Sequence, residues 1–394
     1  MKIKVPEVQD FLRSQKLDGW LIYDFHHINP IAYELTGLTG MQTRRWYLFI
    51  PSRGEAVALL HQIEKENYPE LDVPKITYVG WRDMEAKLSQ LLKGSRVVAM
   101  EYSPCNSIPY VSKVDAGTLE LVQGIGVEVV SSANLVQYFE ARWDHNLYQT
   151  HKYAAGELMK IKEETFEMVS QKLKKGEELS EYSVQQWVVE RYRSHGLVST
   201  EEPIVAVNAN AGNPHYLPTR EVHQPIKKGD LLLLDIWARQ DIEKSGYGDI
   251  TWMAYAGEEV PRRYAEVFEV VRGARDRGVE FIKEKVERGE KVYGWQVDEV
   301  TRDFIKNKGY GDYFIHRTGH SLGITDVHGN GVNMDNLETR DERELIPGVG
   351  FTIEPGVYLP EFGVRSEIDV FMGEKGVEVT TSPPQKEIIP LLSR

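Results

Sequence analysis

LLLLDIWARQDIEKSGYGDITW (231–252) and GFTIEPGVYLPEFGVRSEIDVF (350–371) run through one pattern: apolar strand, acid, strand, glycine-containing turn, acid, strand. Each reads as a β-hairpin with one carboxylate on each arm, Asp235 and Asp249 in the first, Glu354 and Glu367 in the second. Two such hairpins side by side would gather four carboxylates. Acids embedded in apolar strands are costly to bury unless paired or bound to metal. Four together repel until some take up protons, and two divalent cations would remove that problem by offsetting the charge. A single strand-end acid ordinarily faces solvent or pairs with Lys or Arg. The doubled arrangement favours a metal centre.

Outward from the hairpins, the sequence from about residue 140 is rich in long amphipathic helices. Leu158, Ile161, Thr165, Val169 and Leu173 share one helical face closed by Gly176, and a second helix starts near Ser180. Tyr264, Val267, Phe268, Val271, Ala274 and Ile282 mark another, followed by one from about Trp295 to Asn307. With the strands PIVAVN (203–208), DLLLLDIWA, GDITWMAYAG, GFTIEPGVYL and GVRSEIDVFM, this predicts an α+β domain over 141–394, an antiparallel sheet with helices on its outer side. Residues 1–140 alternate short strands, GWLIYD (19–24), RWYLFI (45–50), EAVALL (55–60) and RVVAMEY (96–102), with helix patterns such as MEAKLSQLLKG (84–94), and predict an α/β layer domain. No GxGxxG follows any of these strands, so a dinucleotide site has no support.

The composition sets outer bounds. A chain of 394 residues, 41% hydrophobic and 27% charged, can bury two cores. Sixty acidic residues against 47 basic ones leave a net charge of −13, which disfavours nucleic acid as a partner. The basic run Lys172 to Lys175 is followed at once by Glu177 and Glu178 and reads as a solvated face. Cys105 is the single cysteine, so no intrachain disulfide can form. MKIKVPEVQDFLRSQKLDG lacks a signal-peptide core and no stretch approaches a membrane span, so the expected location is the cytoplasm, away from membranes.

The segment HRTGHSLGITDVHGNG (316–331) concentrates His316, His320 and His328 in a chain with eleven histidines. It contains two misleading motifs. His316 and His320 have zincin spacing, but Arg317 stands where that motif needs Glu, and Gly319 argues against a helix. Gly319-His320-Ser321-Leu322-Gly323 matches the G-x-S-x-G nucleophile elbow, yet the residues after it make a poor helix and no HGGG-type stretch accompanies it.

At these residues the chain resembles the pita-bread metallopeptidases, the family of methionine aminopeptidase, aminopeptidase P and prolidase. PHY (214–216), GYGDIT (246–251), HRTGH (316–320), VHG (327–329), FTIEPGVY (351–358) and GVRSEID (363–369) carry the resemblance over about residues 145–385. Residues 1–140 resemble, more weakly, the N-terminal domain of the creatinase/prolidase/aminopeptidase P branch. Three departures stand out. Asp235 and Asp249 are a few residues further apart than in the family pattern, His320 and His328 one further, and Trp252-Met253 replaces a frequent Arg-Thr.

The resemblance implies two divalent metal ions held by Asp235, Asp249, His320, Glu354 and Glu367, with Asp249 and Glu367 bridging, Asp235 completing one site, and His320 with Glu354 the other. Carboxylate-rich ligation favours manganese, with cobalt, iron or zinc as alternatives. The ions would activate a water against a peptide carbonyl, with Glu354 as proton shuttle. His215 and His328 would hold the substrate and stabilise the oxyanion, and His316 is a further candidate for that pocket. The expected reaction is hydrolysis of Xaa-Pro bonds in dipeptides, or, as the alternative, aminopeptidase P-type cleavage of longer peptides. A dipeptidase needs a cation for the product carboxylate, for which Arg340 and Arg365 are the candidates. Arg44 and Arg45 are candidates for reaching a partner's site in the homodimer that the family suggests. Retention of all five ligands argues against a metal-free creatinase-like hydrolase or a peptide-binding module.

Overall fold

The computed structural model describes residues 1–393 and divides into two compact units, Met1–Ala141 and a second beginning at Arg142. In the first, strands β1 (Gly19–Asp24), β2 (Trp46–Pro51), β3 (Val57–His61), β4 (Lys75–Tyr78), β5 (Val97–Met100) and β6 (Glu128–Ser131) form one mixed sheet in the order β4-β3-β2-β1-β5-β6. Helices α1 (Val5–Ser14) and α2 (Pro30–Thr36) cover one face through Val8, Leu12, Ile31 and Leu35, against Trp20, Ile22, Leu48 and Leu60. Helices α3 (Trp81–Leu91) and α4 (Ala116–Gly124) cover the other through Met84, Leu88 and Val122, against Leu21, Tyr47, Leu59 and Val98. A short helix, α5 (Ala133–Val136), closes the unit. Burial on both faces is why these strands read as continuous apolar runs rather than alternating ones.

The second unit opens on α6 (His145–Lys175), whose N-terminus is capped by the Asp144 carboxylate accepting from Leu147 N and whose C-terminus stops at left-handed Gly176 (φ 70°). The helix starts ten or more residues before the apolar face read from the sequence. Helix α7 (Glu181–Ser194) follows a reciprocal cap between Ser180 and Ser183. Strands β7 (Leu197–Val198) and β8 (Ile204–Val207) both pair antiparallel with β9 (Leu231–Gln240), whose other edge pairs with β10 (Tyr247–Tyr255). Helices α8 (Arg262–Glu287) and α9 (Gly294–Asn307) precede the histidine segment.

Strand alternation gives β9 and β10 two different faces. Leu232, Leu234 and Ile236, with Ile250 and Trp252, pack on Leu158 and Ile161 of α6 and on Val184 and Val188 of α7. The strand approaches α6 so closely that a Cβ on Gly248 would lie 2.9 Å from Ala155 N. Trp252 is on this helix-facing side, with the buried Lys162 ammonium 3.6 Å from its ring centroid. The Trp252 half of the Trp-Met departure therefore belongs to this helix interface, while Met253 points the other way and packs with Leu231, Leu233 and Phe268. On the opposite face lie Asp235, Trp237, Asp249 and Thr251, set by the register pairs Asp235–Thr251 and Trp237–Asp249.

The second carboxylate hairpin is not one continuous ladder. Strands β11 (Gly350–Ile353) and β14 (Ile368–Gly373), joined by β15 (Gly376–Val379), form a three-stranded sheet; β12 (Gly356–Tyr358) and β13 (Gly363–Arg365) form a separate pair. The break falls at Glu354-Pro355 and Ser366-Glu367. The register nonetheless carries across, from Ile353–Ile368 on one side to Gly356–Arg365 on the other. Proline at the break has no N–H to offer a ladder. The final strand, β16 (Ile389–Pro390), pairs parallel with β10. Among the described residues no helix is long and apolar enough to cross a membrane.

Candidate metal centre

Asp235 and Asp249 project from one face of β9 and β10, and Glu354 and Glu367 lie across the break in the second ladder. The histidine segment brings His320 to them. Its backbone N donates to Thr352 Oγ1 at 2.9 Å and its carbonyl accepts from Thr352 N at 2.8 Å. Gly319 makes this approach available, since a Cβ there would sit 2.0 Å from the Thr352 carbonyl oxygen. The His320 Nδ1–H donates to the Ser321 carbonyl at 3.0 Å, which leaves Nε2 facing Asp249 Oδ2 and Glu354 Oε1, each at 3.5 Å. Ligand atoms of Asp249, His320 and Glu367 all lie within 4.8 Å of one another.

The carboxylates have few protein partners for so much charge. Thr251 Oγ1 donates to Glu367 Oε2 at 2.7 Å and Thr352 Oγ1 to Glu354 Oε1 at 3.0 Å. Arg365 donates through Nη2 to Asp235, through Nε to Thr251 Oγ1 at 2.9 Å and through Nη1 to the Tyr358 hydroxyl at 3.2 Å. Asp249 Oδ1 is buried without a hydrogen-bond partner among the described residues. Burial and mutual repulsion push Asp249 and Glu367 far above the usual carboxylate range. Burial raises Glu354 to about 7 and lifts Asp235 against the opposing pull of Arg365. Burial, then the nearby His328 and Arg317, keep His320 neutral, the form that ligates metal. One buried guanidinium against three buried acids and the part-buried Glu354, an orphaned carboxylate oxygen and an imidazole nitrogen turned to the acids fit divalent cations in this place.

The remaining candidates are placed differently. A cavity of about 210 Å³ over the acids is lined by His215, His316, Arg317, His320, His328 and Arg365, together with Ile204, Trp237, Val327, Glu201 and Glu338. His328 is half-exposed there, its ring 4.3 Å from that of His320. His215 sits on the exposed loop after β8. His316 is tied down: Nδ1–H donates to the Arg317 carbonyl at 2.7 Å and Nε2 accepts from the Tyr358 hydroxyl at 2.6 Å, while burial lowers its pKa to about 3. Arg365 is buried and committed to Asp235. Arg340 lies outside the cavity lining, exposed, paired with Glu342 at 3.0 Å and over the Trp295 ring. Arg44 and Arg45 line a separate cavity within the first unit. Ser321 is buried, its Oγ accepting from Gly331 N at 3.1 Å.

Several residues of the site carried no assignment in the sequence. Thr251 and Thr352 stand two positions from a ligand on the same strand face, a signal that period-2 alternation could have exposed. Asp369, two after Glu367, accepts from the backbone N of Asp249 at 2.9 Å and so holds that ligand's strand in place. No sequence pattern marks Arg317 or Trp237, whose side chains reach the cavity only through the tertiary fold.

The description of metallopeptidase family M24 matches residues 155–374. The chain belongs to that family. As an M24 member it is a peptidase, and its fold is the pita-bread fold preceded by an α/β domain. The uncharacterized peptidase YqhT of Bacillus subtilis (strain 168) is 34% identical to this M24 chain over 266 residues, 66% of this chain and 69% of that protein. The Xaa-Pro dipeptidase of Lactobacillus helveticus is 35% identical over 167 residues, 42% of this chain and 40% of its own. The crystal structure of a dipeptidase from Pyrococcus horikoshii OT3 is similar with a TM-score of 0.64 at 26% identity, covering 99% of this chain and 100% of that one.

Proposed function

We propose that this M24 peptidase hydrolyses Xaa-Pro dipeptides with two divalent cations, manganese first, held by Asp235, Asp249, His320, Glu354 and Glu367. The observation that carries the reading is the convergence of these five side chains on one small cavity, about 210 Å³ in volume. That is below the usual range of roughly 300–1,000 Å³ for ligand pockets and suits a very short peptide. The similarity to a relative named Xaa-Pro dipeptidase supports the prolyl preference.

When bound, the cations supply Lewis acidity to the scissile carbonyl and lower the pKa of water. Glu354, whose carboxyl burial raises above the usual carboxylate range, takes up the proton that the attacking water gives up and delivers it to the leaving prolyl nitrogen. That nitrogen has no N–H in the substrate, so the site needs no acceptor for one. His328 and His215 orient the carbonyl from the cavity mouth. Arg317, a cation on the cavity lining beside His316 and His320, is the residue we assign to the product carboxylate. The remoteness of Arg340 favours a second reading, aminopeptidase P-type cleavage of longer peptides, should Arg317 fail in this role.

The test compares Ala-Pro, Ala-Pro-Gly and Ala-Ala with added Mn²⁺, in the unaltered enzyme and in Arg317→Leu. Cleavage of Ala-Pro above both others, with Arg317→Leu lowering kcat/KM for the dipeptide about ten- to a hundredfold and for the tripeptide far less, supports dipeptidase action. Equal or better cleavage of the tripeptide overturns it in favour of the second reading. Preferential cleavage of Ala-Ala overturns the prolyl assignment.

A further inference from the structure

We infer that Trp237 determines specificity: it is the fixed wall that restricts the residue before the scissile bond to a small apolar side chain. The inference rests on the peptidase reading above and names the substrate class of the same site. Trp237 is directly opposite Asp249 in the β9–β10 register, so its side chain stands beside a metal-ligand candidate on the same sheet face. Ile204 is directly opposite Asp235 in the β8–β9 register and faces the same way. The first-hairpin end of the cavity is therefore walled by apolar side chains, with Ile204 packed against the Trp237 cluster and Glu201, three residues before it, on the same lining. A dipeptide whose α-ammonium group meets the negative charge of Glu201 lays its N-terminal side chain against Trp237 and Ile204.

The wall does not yield easily. Trp237 is 8% exposed and packs in a cluster with Trp143, Tyr247, Leu322 and Val327, all within the second unit. The packing leaves little volume for a rotamer change beside the ligands. Its indole N–H has no hydrogen-bond partner among the described residues, so shape rather than polarity holds it there. An aromatic Xaa side chain has to displace this ring, while alanine does not.

Trp237→Ala, Trp237→Leu and Trp237→Phe are compared with the unaltered enzyme on Ala-Pro and Phe-Pro, and on Ala-Ala and Phe-Ala, with metal content and melting temperature measured on each. The unaltered enzyme should prefer alanine. Trp237→Ala should raise the Phe/Ala ratio of kcat/KM by about tenfold or more, Trp237→Leu by less, and Trp237→Phe, which keeps a ring, by no more than about threefold. If Trp237→Ala does not fold, Trp237→Leu carries the same test. A folded, metal-loaded variant with an unchanged ratio overturns the inference. Hydrolysis of the Xaa-Ala series alone overturns the prolyl reading but leaves the Phe/Ala ratio to decide Trp237. Hydrolysis of neither series overturns both.

Discussion

Glu354 and Glu367 occupy opposing positions in the two-residue break where an otherwise continuous register, from Ile353–Ile368 to Gly356–Arg365, loses its ladder. Backbone pairing gives way where the two acids must point inward. Their repulsion reaches the titration of Glu367 directly, since burial and then Glu354 raise it.

Chelation should abolish turnover and lower the melting temperature, and Mn²⁺ should restore both. Four clustered carboxylates without cations oppose the folded state. A metal at a hundred times its dissociation constant stabilises by about 2.7 kcal/mol. Differential scanning fluorimetry with and without metal checks this; full activity in a verified metal-free preparation would sink the proposed centre.

Glu354→Gln should lower kcat by roughly 10²–10⁴-fold at equal metal occupancy, because the amide cannot carry the proton. Turnover is measured beside metal content on the same sample. Unchanged kcat at full loading would assign the proton transfer elsewhere.

Arg365→Leu leaves Asp235 buried without its counter-ion, the two side chains being 6% and 10% exposed. Breaking such a pair costs about 3–5 kcal/mol. Divalent cation should recover more stability in this variant than in the unaltered protein, because the metal then meets a charge that no guanidinium offsets. Equal metal-induced shifts in the two proteins would contradict that reading of Arg365.

Ser321→Ala should leave kcat within about threefold while costing about 1 kcal/mol of stability, the value of the hydrogen bond from Gly331 N. A loss of several orders of magnitude would revive the nucleophile elbow.

His151 gives a pH prediction away from the ligands. Its Nδ1 lies 2.6 Å from the Tyr247 carbonyl and its Nε2 2.7 Å from Thr380 Oγ1, and burial lowers its pKa to about 4. The unfolded chain binds the proton first, so the stability from this residue is complete above about 6.5 and declines as pH falls towards 4. Between pH 7 and 5 the loss should be roughly 2 kcal/mol. Denaturant unfolding of His151→Gln should show a correspondingly flatter dependence over that interval; an identical slope would refute it.

The acids were legible in the sequence because local rules expose them: a carboxylate inside an apolar run has few explanations, and hairpin spacing fixes which arm it occupies. The second hairpin was legible as a pairing but not as two ladders, although Pro355 marks the break in hindsight. Arg365 and Asp235 are 130 residues apart, and no periodicity links them. Arg317 lines the cavity and Arg340 does not, a distinction that no local pattern carries, since which arginine reaches a cavity is decided by the path of loops. Trp237 escaped notice because a tryptophan in a strand reads as ordinary core.

The shared phase of the two ladders leaves Pro360 and Glu361, the exposed pair at the hairpin tip, without a vote in where Glu354 and Glu367 stand, whereas Leu359 and Phe362 on either side are packed against Tyr264 and its neighbours. Lengthening that tip adds chain beyond the last rung and moves neither acid, whereas one residue inserted beside Pro355 reverses the facing of every side chain on one arm. Evolution and engineering thus have one narrow free coordinate here: chain added between Pro360 and Glu361 lies beyond the packed Leu359 and Phe362 and leaves the four acids where they stand.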